Sequence, residues 1–421
     1  MDIKVEPGEV SGTITAPPSK SMMQRAVALA LLADGTTKIS NPSFCDDSKA
    51  ALEIARALGA SVEENENCVK ITGGIEPQGK GNVIVNCGES GLCMRMFSPI
   101  AALFGTEITL TGNGSLLSRP VGMIEEPLRM LGARCETNSG KPPVIVHGQL
   151  KGGSTIIDGS ESSQFLTGLL IALPKCENDS EITVKNLKSR PYVDMTLKIA
   201  REFGAEIKES NGTEDRFIIF GNRNYSARDF TVEGDWSGAA FLLVAGAIAG
   251  KGKLRVNGLN EDSTQADKAI LAALERCGNG REAGGTLMAF EFDATDCPDL
   301  FPPLVALACN CNGTSRIIGV DRLRHKESDR AAVLVEVFEK LGAKIKIAGN
   351  SLEIIGTKLH GGTVNSHGDH RIAMACAIAA LNATSRVTIQ NAECVSKSYL
   401  EFFEDLKTIG VNVSYIAEVK T

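Results

Sequence analysis

The sequence has no excess of basic residues, no apolar run long enough to cross a bilayer and no CxxC pair. Lys and Arg number 44 against 51 Asp and Glu, a formal net charge of −7. Nonspecific nucleic-acid binding is therefore disfavoured, because no global positive field exists to replace phosphate counterions; a local basic pocket stays open. The longest apolar stretches, such as Ala239 to Gly250, fall short of the ~18 residues of a spanning helix. Twelve cysteines are scattered along the chain. Cys309 and Cys311, the closest two, are separated by one residue with no histidine pair nearby, a poor zinc site. They read as reduced, mostly buried thiols of a cytoplasmic protein. The opening MDIKVEPGEV lacks the apolar core or Arg/Ser-rich character of a targeting segment, so a protein neither exported nor membrane-bound is expected.

What is present is ample material for more than one core: 421 residues, 43% hydrophobic and 23% charged. An amphipathic helix ending in Gly recurs six times, at Gly59, Gly132, Gly204, Gly278, Gly342 and Gly410. Successive glycines lie 73, 72, 74, 64 and 68 residues apart. Gly there suits a left-handed helix cap followed by a strand. Upstream of each lies a second helix, apolar nearly all round and so buried, as in SMMQRAVALALLA or HRIAMACAIAAL. A short β-branched strand follows it: TTKIS, EITLTG, EITVKN, KLRVNG, SRIIG, RVTIQN. The repeat is thus buried helix, strand, loop, surface helix, strand, over about 70 residues. Six such units are too many for one core, and three plus three is the natural division, with a single elongated solenoid as the alternative. The chain would cross near Gly234-Asp235, and again at Pro17-Pro18 if the first strand pairs with the second half.

Unusual polar residues gather at the starts of the buried helices. Lys20, Ser21 and Arg25 open the first; Glu89, Ser90, Gly91 and Arg95 the second; Ser162, Ser163 and Gln164 the third. Asp235 and Ser237 open the fourth, Asp299 the fifth, and Asp369, His370 and Arg371 the sixth. Helix starts aimed at one place supply free N–H groups and partial positive charge, and with converging Lys and Arg they make an anion site. Taken singly, the Ser and Asp residues also read as plain N-caps. The polar loops add Ser118-Arg119-Pro120, Ser189-Arg190-Pro191, RHKESDR from Arg324 to Arg330, and Lys397 of CVSKSY. In RHKESDR the spacing sets Arg330 one helical turn from Lys326 and Glu327. The string reads either as a solvated charge run or as a carboxylate set among cations, fit to move a proton.

PPSKSMMQR, SSQFLTGLL, SRPYVDMTL, VEGDWSGAA, RHKESDR, DHRIAMA and the Lys of CVSKSY together resemble the signatures of the EPSP synthase family, in family order from residue 17 to 403. The resemblance implies a two-domain inside-out α/β barrel of six βαβαββ units, three per domain. Residues 1–18 plus 234–421 would form a discontinuous domain carrying Asp299, Glu327, Arg371 and Lys397. Residues 19–233 would form the other, carrying Lys20, Arg119, Ser162 and Gln164, with the active site in the interdomain cleft.

The implied reaction joins phosphoenolpyruvate to the 5-hydroxyl of shikimate 3-phosphate, on the route to chorismate and the aromatic amino acids, with no metal and no cofactor. The implied partners are those two small molecules alone, with no nucleic acid, no membrane and a monomeric enzyme. By the same carry-over Lys20, Ser21, Arg25, Ser162, Ser163, Gln164, Ser189, Tyr192, Asp299 and Lys326 bind shikimate 3-phosphate. Lys20, Gly91, Arg119, Gln164, Arg330, Arg371 and Lys397 bind phosphoenolpyruvate. Asp299 is the implied base, Glu327 the implied acid, and Lys20 joins them in catalysis.

The turn Glu89-Ser90-Gly91-Leu92 departs from the family's Asn-Ala-Gly-Thr-like pattern, with Leu92 at the Thr position and Met96 at a Pro position. Glu89, beside an anion site, is expected to need a cationic partner. Arg322 stands where some members have Asn. The rival readings are a UDP-N-acetylglucosamine enolpyruvyl transferase and a noncatalytic module for anionic metabolites. The first carries a reactive Cys in the loop that here reads GNGSLLSRPVG, without one. The second would need a lost catalytic residue, and Lys20, Asp299, Glu327 and Arg371 are all present.

Overall fold

The structure is a computed structural model describing residues 1–74, 82–212, 214–278, 285–324 and 326–416. His325 of RHKESDR and Asn279, at the end of the fourth helix copy, lie outside the described residues. The chain divides into two compact units, Pro18–Glu233 and Met1–Pro17 with Gly234–Thr421.

Buried and surface helices alternate along the chain. In the Pro18–Glu233 unit they are α1 (Lys20–Leu32), α2 (Asp46–Ala57), α3 (Gly91–Ala101), α4 (Glu125–Met130), α5 (Gln164–Ala172) and α6 (Arg190–Glu202). In the other unit they are α7 (Trp236–Ala249), α8 (Ile270–Arg276), α9 (Phe301–Cys309), α10 (Arg330–Lys340), α11 (His370–Ala380) and α12 (Phe402–Thr408). Every residue of α3, α9 and α11 is buried, as expected of helices without a polar face. Within the first unit α3 packs on α1 and α5; within the second, α7, α9 and α11 pack on one another. All six repeat glycines have positive φ, from +84° to +112°, so each surface helix ends in the left-handed cap that the sequence predicts.

Each repeat makes its own small sheet. In the third, Gly153–Asp158 pairs parallel with Ser180–Lys185, which pairs antiparallel with Asp215–Ile219 and through it reaches Ile207–Asn211. Parallel neighbours need a crossover, and the buried helix α5 supplies it; the antiparallel pair closes as a hairpin behind the surface helix. The same order recurs in Glu291–Asp293, Thr314–Ile318, Ser351–Ile355 and Lys344–Ala348. Three separate open sheets thus serve each unit, and none closes into a barrel among the described residues.

The first strand, Asp2–Val5, lies between Val387–Gln390 and Val413–Ile416, with Ile3 opposite Ile389 and Tyr415. The second, Gly12–Thr15, pairs parallel with Leu254–Asn257. Both N-terminal strands therefore belong to the sheets of the unit that contains residue 421. All twelve cysteines are buried free thiols. No described helix is long and apolar enough to cross a membrane.

Candidate active site

In the Pro18–Glu233 unit the three buried helices begin at serines. Ser19 caps α1 by accepting from the Met22 N–H at 3.4 Å, and Ser90 caps α3 by accepting from Cys93 at 3.2 Å. Ser163 is the cap residue of α5, where Ser162 Oγ accepts from the Gln164 N–H at 3.2 Å. Neutral caps leave the positive ends of the helices uncancelled.

Arg25 runs through the middle of this region, 2% exposed. Its Nε donates to Thr196 Oγ1 at 2.9 Å and its Nη1 to the Ser21 carbonyl at 2.8 Å. Its Nη2 donates to Thr167 Oγ1 at 3.3 Å and the Tyr192 carbonyl at 3.4 Å. These acceptors are all neutral, so a buried positive charge is oriented here by oxygens that do not cancel it. Burial lowers its pKa to about 10, still protonated at neutral pH. Thr167 in turn donates to the Ser163 carbonyl. Ser189, 5% exposed, caps α6 in the left-handed region at φ 57°, and its carbonyl accepts from the Tyr192 N–H at 3.1 Å. Ser21, Arg25, Ser163, Ser189 and Tyr192 are thus one bonded group, with Ser162 adjoining it.

A second group surrounds Gly91. Arg95 Nη1 donates to Gln164 Oε1 at 2.8 Å, and its Nη2 donates to the Pro120 carbonyl at 2.9 Å. A Cβ on Gly91 would meet Arg119 Nη1 at 2.8 Å and Arg95 Nη1 at 3.0 Å. The missing side chain is what admits two guanidiniums to the start of α3. Lys20 pairs with Asp47 at 2.8 Å, and Gln24 Nε2 ties the Asp47 carbonyl (3.2 Å) to Ser90 Oγ (2.8 Å). Gln24, within PPSKSMMQR, and Asp47, which belongs to no motif, join Lys20 to the Gly91 turn; only the fold brings Asp47 to Lys20.

The other unit is built differently, because its buried helices begin at carboxylates. Asp235 caps α7 and Asp369 caps α11, accepting from the N–H groups of Ser237 (2.8 Å) and Arg371 (3.0 Å); Asp299 precedes α9. The Asp299 carboxylate is held from three sides: Oδ1 accepts from Lys326 at 3.2 Å and Arg330 at 2.9 Å, and Oδ2 faces Arg371 at 3.1 Å. Burial alone would raise the Asp299 carboxyl; Arg371, Lys326 and Arg330 outweigh it and hold it well below the usual carboxylate range. Burial lowers the Lys326 ammonium, against the pull of Asp299.

Arg330 is fully buried, bonded to Asp369 through Nε (2.9 Å) and Nη2 (3.2 Å), to Asp299 through Nη1, and to Glu327 through Nη2. Burial opposes its charge, but Asp369, Glu327 and Asp299 raise its pKa. The sequence sets Lys326 and Glu327 both one helical turn from Arg330, but α10 starts only at Arg330. Glu327 meets Arg330 from the preceding loop, while Lys326 reaches across to Asp299. Lys397 donates to the Gly368 carbonyl at 2.8 Å, beside the Asp369 cap. Glu327, Asp369 and His370 place possible metal-ligand atoms within 4.8 Å of one another, but Arg330 already supplies the cation that both carboxylates bind.

Asp267 is a residue the sequence reading missed. It is 1% exposed and accepts from Ser237 Oγ. Burial first, then the Asp299 charge, raise its pKa from 3.8 to about 6, against Arg371 and the Ser237 bond. A carboxyl that holds its proton more tightly when folded supports folding below its unfolded pKa and loses that contribution as pH rises through about 6. Asp267→Asn should therefore be about 2 kcal/mol more stable, relative to wild type, at pH 7.5 than at pH 4, where the unfolded carboxyl is already partly ionised. Denaturant midpoints at the two pH values check this; an equal difference at both contradicts it.

One unit thus presents a buried arginine, Arg25, on neutral oxygens, and the other presents carboxylates among cations, groups suited to small anionic metabolites. The chain belongs to the EPSP synthase family. The family model described as EPSP synthase (3-phosphoshikimate 1-carboxyvinyltransferase) matches residues 5–406. A 3-phosphoshikimate 1-carboxyvinyltransferase of Clostridium kluyveri is 39% identical, with 97% of each chain covered. One of Natronomonas pharaonis is 37% identical over 98% of this chain and 99% of its own. Among solved structures, an EPSP synthase from Acinetobacter baumannii matches with TM-score 0.81 and 28% identity, over 98% of this chain and 100% of that one.

Proposed function

We propose that this chain transfers the enolpyruvyl group of phosphoenolpyruvate to the 5-hydroxyl of shikimate 3-phosphate, releasing inorganic phosphate. Family membership supports the reaction. The observation that carries the assignment of residues is Asp299, held among Lys326, Arg330 and Arg371, with Glu327 on the same Arg330. A hydroxyl is a weak nucleophile and needs a base; an enol carbon must gain a proton as the new bond forms. In this reading Asp299 takes the hydroxyl proton as oxygen attacks the central carbon of phosphoenolpyruvate, and Glu327 protonates the methylene carbon. The tetrahedral adduct then loses a methyl proton and its phosphate, restoring the enol ether.

Arg25, Ser21, Ser162, Ser163, Gln164, Ser189 and Tyr192 take shikimate 3-phosphate. Lys20, Gly91, Arg119, Arg371 and Lys397 take phosphoenolpyruvate, with Gln164 touching both substrates. Arg330 already binds three carboxylates, so its part is to orient Glu327 and Asp299 as well as to attract anions. The cations lower the energy of the anionic adduct because they are already in place.

Phosphate release tests the assignment. Release only when both substrates are present is expected; release with UDP-N-acetylglucosamine in place of shikimate 3-phosphate, or none at all, overturns it. Gly91→Ala should raise the KM for phosphoenolpyruvate about tenfold and that for shikimate 3-phosphate less, through Arg95 and Gln164, since the new methyl displaces Arg119 and Arg95 by less than the ~1 Å that can cost 10²-fold. Steady-state kinetics varying each substrate in turn check it.

A further inference from the structure

Three successive residues of the turn before α3 have three separate tasks. Gly91 admits Arg119 and Arg95, and Ser90 caps α3 while accepting from Gln24. Glu89 reaches the other way. Its Oε2 accepts from the Ser115 N–H at 2.9 Å and from Ser115 Oγ at 2.8 Å. Gly114, at φ +52°, lies so close that an added Cβ would meet Glu89 Cδ at 2.5 Å. The Asn113 N–H donates to the Gly88 carbonyl at 2.7 Å. The one-turn segment Gly114–Ser118 is therefore fastened to Gly88 and Glu89 at its start. Arg119 follows it directly, its own N–H donating to the Leu116 carbonyl at 3.1 Å. The Arg119 guanidinium then comes back to Gly91, two residues from Glu89.

The Glu89 carboxylate is turned onto the donors of Ser115, with charge-assisted bonds that are stronger than neutral ones. We propose that Glu89 is a positioning residue for Arg119, fixing the turn from which that guanidinium is aimed at the start of α3. A long arginine on a loose turn would spread over many rotamers, and its contact with a bound anion would weaken accordingly. The inference rests on the reading of Arg119 as a ligand of phosphoenolpyruvate.

The test is steady-state kinetics on Glu89→Ala and Glu89→Gln, alone and combined with Arg119→Lys, with thermal unfolding followed in parallel. Glu89→Ala should raise the KM for phosphoenolpyruvate roughly tenfold, with kcat and the KM for shikimate 3-phosphate within about twofold of wild type. Glu89→Gln keeps an acceptor oxygen at the same reach and should restore the KM to within about threefold. In the Arg119→Lys background, Glu89→Ala should add less than about twofold, because both changes act on one contact. If Glu89→Ala does not fold, Ser115→Ala, which removes one of the two donors, should raise the same constant about threefold. An unchanged constant for phosphoenolpyruvate, equal loss in both substrate constants, or additivity with Arg119→Lys overturns the inference. A wild-type protein that releases no phosphate with both substrates overturns the functional reading and this inference with it; an active wild type with an indifferent Glu89 overturns the inference alone.

Discussion

Asp299→Asn is expected to lower kcat for phosphate release by about 10³-fold, within the range that a positioned acid or base contributes, with both KM values within a few-fold of wild type. The side chain keeps its shape and an oxygen for Lys326 or Arg330 but can no longer take a proton. It also removes a negative charge from among three cations, so the affinity for anionic substrates should hold or rise. A large rise in KM with kcat preserved would instead make Asp299 a group that merely orients those cations. The pH dependence carries a second check. Because Asp299 is held well below the usual carboxylate range, it is already ionised there. An acid limb in kcat/KM caused by Asp299 must therefore lie below that range in the free enzyme. Substrate anions that offset Arg371 and Lys326 should raise its proton affinity, so its limb in kcat should lie higher.

The parts of the molecule legible in the sequence are those fixed by neighbours in the chain. Gly59 and its five counterparts mark helix ends because a left-handed cap is a local requirement, and all six have positive φ. The predicted strands are present in each repeat, as in Leu254–Asn257 for KLRVNG and Val387–Gln390 for RVTIQN, since β-branched runs after a buried helix have few alternatives. What was not legible depends on contacts between distant residues. Asp47 sits in an ordinary helix start and reaches Lys20 only because α1 packs on α2. Asp267 sits in an unremarkable QAD string and matters through burial against Ser237 and the field of Asp299. The RHKESDR string was misread in detail for the same reason. Its spacing fits a helix, but Asp329 caps the helix, by accepting from the Ala332 N–H at 3.3 Å, so Lys326 and Glu327 remain in a loop and find separate partners.

Asp369→Ala is expected to be strongly destabilising, costing roughly 3–5 kcal/mol from breaking a buried pair and about 1 more from losing the cap of α11. Asp369 and Arg330 are both fully buried, and Asp369 also accepts from Ser328 Oγ at 3.1 Å and from the Arg371 N–H. Asp369→Asn separates the two contributions: it keeps a good cap but not the charge, so its loss should be smaller by about 1 kcal/mol. Denaturant midpoints of the two variants check the pair of values; an alanine variant as stable as wild type would show that Glu327 and Asp299 alone satisfy the guanidinium. The kinetic consequence runs through Arg330. Deprived of Asp369, it should draw more strongly on Glu327 and Asp299, making both carboxylates harder to protonate. Asp369→Asn should then slow protonation of the methylene carbon even where the protein stays folded, because the acid assigned to that step must hold its proton until the new bond forms.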